Sequence, residues 1–117
     1  MSLYAVVRND LGMSPGKSAS QAGHAYLGAF LAARDQTPVI VADYAAESPG
    51  TKVCLQASLT QLLRAQAELE AAGIPVYRVV DSGCANFFNG EPTITALGFG
   101  PATKSQLPKF ISKLRLL

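Results

Sequence analysis

An α/β sandwich around a central sheet is the fold class this sequence predicts, on three observations. Short β-rich runs alternate with longer segments of helical spacing along the whole chain. A length of 117 residues suits one compact domain spanning 1–117. Hydrophobic residues make up 49% and charged residues 15%, too apolar for a disordered chain, and no apolar run approaches the ~20 residues that cross a bilayer. The N-terminus lacks a positive start ahead of an apolar core, so a soluble, cytoplasmic protein with no membrane partner is the expectation.

The first strand takes residues 3–8, from the run Leu3-Tyr4-Ala5-Val6-Val7, and stops at Arg8-Asn9-Asp10. Gly12 bends the chain, Ser14 caps a helix and Pro15 suits its first turn, with the helix reaching about Arg34. At 100° per residue, Lys17, Gln21, His24 and Gly28 fall within about 60° of one another, and Ala19, Gly23, Tyr26, Phe30 and Ala33 gather opposite. The second group is expected to face the core and the first to carry chemistry. Thr37-Pro38 repeats the cap-and-proline signal. Val39-Ile40-Val41 favours strand and residues 42–46 favour helix, and a short second helix is the reading.

After Pro49-Gly50, residues 51–56 form a second strand. Ser58 and Gln61 have capping-box spacing ahead of Leu62, Ala65, Leu69 and Ala72, and Gly73 ends that helix. Residues 76–80 make a third strand carrying Asp81 at its carboxyl end. A fourth lies near 93–99, with Gly98, Gly100 and Pro101 expected to stop it. Thr103 and Gln106 repeat the capping spacing before Leu107, Phe110, Ile111 and Leu114, although Pro108 delays the helix.

Few residues suggest chemistry. His24, the only histidine, is either a structural hydrogen-bonder or a catalyst. Lys17 sits in the first turn of a helix, where the dipole favours an anion, so it either meets a phosphate or developing oxyanion or is simply solvated. Asp81, at the carboxyl end of a strand, either lines the crevice where open α/β sheets bind ligands or bonds its own turn. Cys54 and Cys84 lack metal-ligand spacing and read as two reduced thiols. Phe87-Phe88 beside Asn86 is either a stacking surface for bases or core. Nucleotide-binding, nucleophile-elbow and metal-binding motifs are missing. A net charge of +2 falls short of a protein that coats nucleic acid.

Taken together, Arg8-Asn9-Asp10-Leu11-Gly12-Met13, Gly16-Lys17, Gln21, His24 and Ala25 resemble the opening signature of the archaeal and eukaryotic type of peptidyl-tRNA hydrolase. Asp81-Ser82-Gly83 is similar to that family's Asp-Ala-Gly, and Thr95-Ala96-Leu97-Gly98-Phe99-Gly100-Pro101 to its Thr-Val-Leu-Gly-Ile-Gly-Pro. The likeness reaches the closing Lys113-Leu114-Arg115-Leu116-Leu117. It implies a three-layer α/β/α sandwich with a mixed sheet of about four strands. It also implies hydrolysis, without metal or other cofactor, of the ester joining a peptide to the 3′ end of tRNA, a function in translation.

By motif, Lys17, Asp81 and Thr95 match the positions implicated in activity. Gln21 and His24 match helix-face positions beside them, with Asn86 and Thr93 as further substrate contacts. Asp81 would position or deprotonate water, Lys17 would stabilise the carbonyl oxygen or hold a phosphate, and Thr95, or Thr93 in another register, would orient the water. Where relatives carry Arg-Thr-Gln, this chain has Cys84-Ala85-Asn86. Rival readings are a non-catalytic module that binds an RNA end or a protein, favoured if Asp81 and Thr95 lie far from Lys17, and a hydrolase of another ester or amide. An apolar sheet edge leaves room for a homodimer.

Overall fold

The computed structural model of the chain describes residues 1–82 and 90–117. Strand β1 (Ser2–Arg8) lies parallel to β2 (Lys52–Ala57) and antiparallel to β4 (Thr93–Ala102), which is antiparallel to β3 (Val76–Asp81). The order is β2-β1-β4-β3, a mixed four-stranded sheet. Parallel neighbours need a crossover, and helices α1 (Pro15–Gln36) and α2 (Pro38–Ala45) supply it between β1 and β2. Helix α3 (Leu59–Ala71) and a short α4 (Lys109–Ser112), preceded by a 3-10 turn at Lys104–Gln106, cover the other face.

Alternation along β1 divides the core. Tyr4 and Val6 pack with Leu62, Leu69, Leu97, Phe99 and Ile111 under α3 and α4. Ala5 and Val7 pack with Ala22, Ala25, Val79 and Ala96 under α1, and Leu3 meets Ala29 and Tyr44 under α1 and α2. Helices therefore cover both faces, and the three-layer α/β/α reading holds. Beyond β2 the closing residues add a backbone pairing, with Gln56 N–H donating to Arg115 and Leu117 N–H to Cys54. Strand β3 is the other edge, and among the described residues no strand pairs outside it.

Three expectations need correction. The core face of α1 is Ala22, Ala25, Ala29 and Ala33 together with Gln21, whereas Ala19 and Gly23 are exposed. The core stripe therefore lies beside the Lys17 stripe rather than opposite it, because alanines, not the larger Tyr26 and Phe30, let the helix sit close to the sheet. Strand β4 does not stop at Phe99 but continues through both glycines to Ala102. Gly100 takes a φ of +99° in a bulge opposite Ser2 and Tyr4, so it bends the strand without ending it. Thr37 precedes α2, but its hydroxyl donates back to the Ala33 carbonyl and closes α1 instead of capping the next helix. Both capping boxes form, at Ser58–Gln61 and Thr103–Gln106, and α4 begins only after Pro108.

Candidate active site

Three elements bring their ends together at one edge of the molecule. Ser14 accepts a hydrogen bond from the Lys17 backbone N–H at 3.1 Å, which fixes the first turn of α1 and the direction of the Lys17 side chain. Gly98 in β4 decides how closely that helix approaches. A Cβ there would stand 2.0 Å from the Ala25 carbonyl oxygen, so the backbones of α1 and β4 pack with no side chain between them. Gln21, one turn after Lys17, thereby lies over Thr95 of β4 and beside Asp81 at the end of β3.

The side chains form a continuous series. Lys17 Nζ lies 2.6 Å from Asp81 Oδ2, and Gln21 Nε2 donates to the same oxygen at 3.5 Å. Thr95 Oγ1 donates to Gln21 Oε1 at 2.5 Å. A carboxylate only accepts, so Gln21 must turn its NH2 toward Asp81, leaving its carbonyl oxygen for the threonine. Thr95 is 0% and Gln21 2% exposed, so this inner pair is closed to solvent. The Lys17 and Asp81 side chains are 16% and 13% exposed, so the charged pair sits at the rim, shielded but reachable.

His24 is exposed one turn beyond Gln21, and Thr93 faces Asp81 in the strand register with its hydroxyl given to the Glu91 carbonyl at 2.9 Å. Neither joins the series. Asn86 lies outside the described residues, as do Cys84, Phe87 and Phe88. Nearby, Arg8 grips both carboxylate oxygens of Asp10 at 2.9 and 3.0 Å and the Ile94 carbonyl at 3.0 Å. This fork holds the Asp10 carboxyl below its usual range and ties the loop after β1 to β4. Across α1, burial pushes the Cys54 thiol up, and burial with the facing thiol pushes the Tyr26 phenol up, so Cys54 is not a poised thiolate. Among the described residues, no three His, Cys, Asp or Glu side chains gather where a metal could be held.

A groove of about 630 Å³ starts at Gln21, Asp81 and Ser82 and runs between α1 and β3. Leu27, Leu31, Tyr77 and Val80 line it, and the Tyr77 ring lies over Gly28, where a Cβ would be 2.1 Å from the ring. Sequence reasoning missed these apolar residues. The signal was present on α1, since Leu27 and Leu31 fall at i+3 and i+7 from His24, on the stripe that includes Lys17.

The family model "Peptidyl-tRNA hydrolase PTH2" matches residues 1–117. Among curated relatives, the peptidyl-tRNA hydrolase of Methanocaldococcus jannaschii is 32% identical over 117 residues, covering all of both chains. That of Methanopyrus kandleri is 34% identical over 112 residues, 96% of this chain and 94% of its own. The Schizosaccharomyces pombe protein described as "probable peptidyl-tRNA hydrolase 2" is 34% identical over 113 residues, 95% of this chain and 53% of the yeast protein.

Proposed function

The chain belongs to the peptidyl-tRNA hydrolase PTH2 family, and from that premise we propose that the rim pair Lys17 and Asp81, steadied by Gln21 and Thr95, is its hydrolytic centre. The reaction is hydrolysis of the ester that joins a peptide to tRNA. The observation that carries the assignment of residues is the 2.6 Å ion pair at the mouth of a groove, backed by an enclosed amide and hydroxyl. The binding-module alternative was favoured by Asp81 and Thr95 lying far from Lys17; instead Asp81 pairs with Lys17 directly, and Thr95 reaches that pair through Gln21.

The chemistry divides between the two charges. Asp81 accepts a proton from water as the water oxygen bonds to the ester carbonyl carbon. Lys17, near the positive end of α1, stabilises the negative oxygen that develops on that carbonyl. When the tetrahedral species collapses, the bond to the ribose oxygen breaks and the proton held by Asp81 passes to it. The products are a peptide acid, which gives its proton to solvent and leaves as the carboxylate, and a tRNA with a free hydroxyl. Gln21 and Thr95 act as positioning residues, since both are enclosed and meet the reaction only through the Asp81 carboxylate. His24, exposed at the groove, and Thr93, at the strand end, are proposed to touch substrate, with Asn86 as a further contact. A peptidyl-tRNA substrate arises in translation, which supports a cytoplasmic setting. No helix among the described residues is long and apolar enough to cross a membrane.

The test is turnover of N-acetyl-aminoacyl-tRNA in heavy-oxygen water at low salt, where phosphate contacts are strongest. Label in the released carboxylate, with none in the tRNA, is the expected result. No release above background would remove the enzyme assignment, and label in the tRNA would remove attack at the carbonyl carbon.

A further inference from the structure

We propose that the groove between α1 and β3 binds the peptidyl half of the substrate as an extended chain, its apolar side chains lying against Leu27, Leu31, Tyr77 and Val80. This rests on the hydrolase reading above. The ester lies between two chemically unlike halves, a polyanionic RNA and a peptide of varied side chains. A phosphate backbone needs cations along its path. The groove offers it few. Beyond Gln21, His24 is the one polar side chain set among Leu27, Leu31, Tyr77 and Val80, and the charges of Arg34 and Asp35 at the far end are of opposite sign.

Continuity and length agree with a peptide. Asp81 belongs both to the charged centre and to the groove wall, so whatever fills the groove reaches the reacting bond. The helix from Gln21 to Asp35 extends ~21 Å at the usual rise, room for about six extended residues. Leu27 is 61% and Val80 50% exposed, large apolar surfaces facing the same channel with no protein partner among the described residues. Tyr77 is held flat over Gly28, the one residue type that admits its ring there. A half-open apolar wall favours bulky side chains without demanding a particular one, which suits a substrate whose peptide varies.

The experiment compares N-acetyl-leucyl and N-acetyl-glycyl esters on one tRNA. The leucyl ester is expected to show a kcat/KM about tenfold higher, expressed mainly in KM. Leu27→Gln and Val80→Thr, both at exposed positions, should bring the ratio toward one while circular dichroism stays unchanged. Free N-acetyl-trileucine should inhibit the wild type more strongly than either variant, and deacylated tRNA should inhibit all three alike.

Equal rates on both esters in the wild type would overturn the proposal, as would variants that slow both esters equally. Weaker inhibition of the variants by deacylated tRNA would assign the groove to RNA. A dimer in sedimentation that Leu27→Gln dissociates, with the ester ratio unchanged, would assign it to a second copy of the chain. Should the wild type cleave neither ester, the hydrolase reading fails separately. Amide shifts of Leu27, Leu31 and Val80 on adding N-acetyl-trileucine then decide the groove, with no shifts overturning the proposal.

Discussion

Gln21 shows how far a side chain's surroundings can depart from its place on a helix stripe. As a sequence position it belongs to a polar stripe with Lys17 and His24, and a substrate contact was the natural expectation. In the structure it is enclosed, with its carbonyl given to Thr95 and its amide to Asp81. Periodicity identifies a face but not the depth of a residue at the edge of that face. Replacing Thr95 with valine keeps the volume and removes the donor, leaving the buried Gln21 oxygen unsatisfied at a cost of roughly 1–3 kcal/mol, measurable by urea denaturation. The same variant should lower kcat with little change in KM, and Thr95→Ser should restore most of the loss. An unchanged kcat would mean that Thr95 only packs. Lys17→Ala should retain the fold and lose about 10²-fold in kcat, the size expected for removing one stabiliser of an oxyanion.

At the level of elements, the strands and helices were legible because their local signals agree. Ser58 with Gln61 and Thr103 with Gln106 both form the caps that their spacing implies. Where the reading failed, a long-range contact overrode a local rule. Gly98 and Gly100 look like strand breakers, yet one admits the backbone of α1 and the other makes a bulge, and both stay within β4. Gly98→Ala should therefore push α1 off the sheet. The expected outcome is a loss of about 3 kcal/mol or more in stability with a fall in kcat/KM, because Lys17 and Gln21 move with the helix. Wild-type activity in that variant would show that the close approach does not position the site. Ser58→Ala, on the opposite face, should cost about 1 kcal/mol and leave turnover unchanged, checked by thermal melting beside the hydrolysis assay. The apolar wall of the groove stayed unread because exposed leucines on a helix look ordinary until β3 is laid beside them.

For the whole molecule, the titrating groups predict how stability bends with pH. The folded Cys54 thiol and Tyr26 phenol hold their protons more tightly than in the unfolded chain. Their contribution is complete below the ordinary thiol value of 9.0 and is lost as pH rises through the folded values, so denaturation midpoints should fall on the alkaline side. Cys54→Ala should flatten part of that slope, and an unchanged slope would show that the thiol takes no part. Asp10 acts at the other end. Its lowered pKa adds stability above the ordinary value of 3.8 that is lost as pH falls through the folded one, a small effect at an exposed site. The fold class and its mixed sheet followed from alternating segments and a family resemblance, while the joining of Lys17, Asp81, Gln21 and Thr95 needed the packing of α1 on β4.

Everything proposed for the site turns on Asp81 activating water at this junction. Single-turnover cleavage of peptidyl-tRNA, with enzyme in excess, compares the wild type with Asp81→Asn. The expected result is release of peptide and intact tRNA by the wild type, and a rate at least ~10²-fold lower for the variant with its fold retained by circular dichroism. A variant that cleaves as fast as the wild type would contradict it.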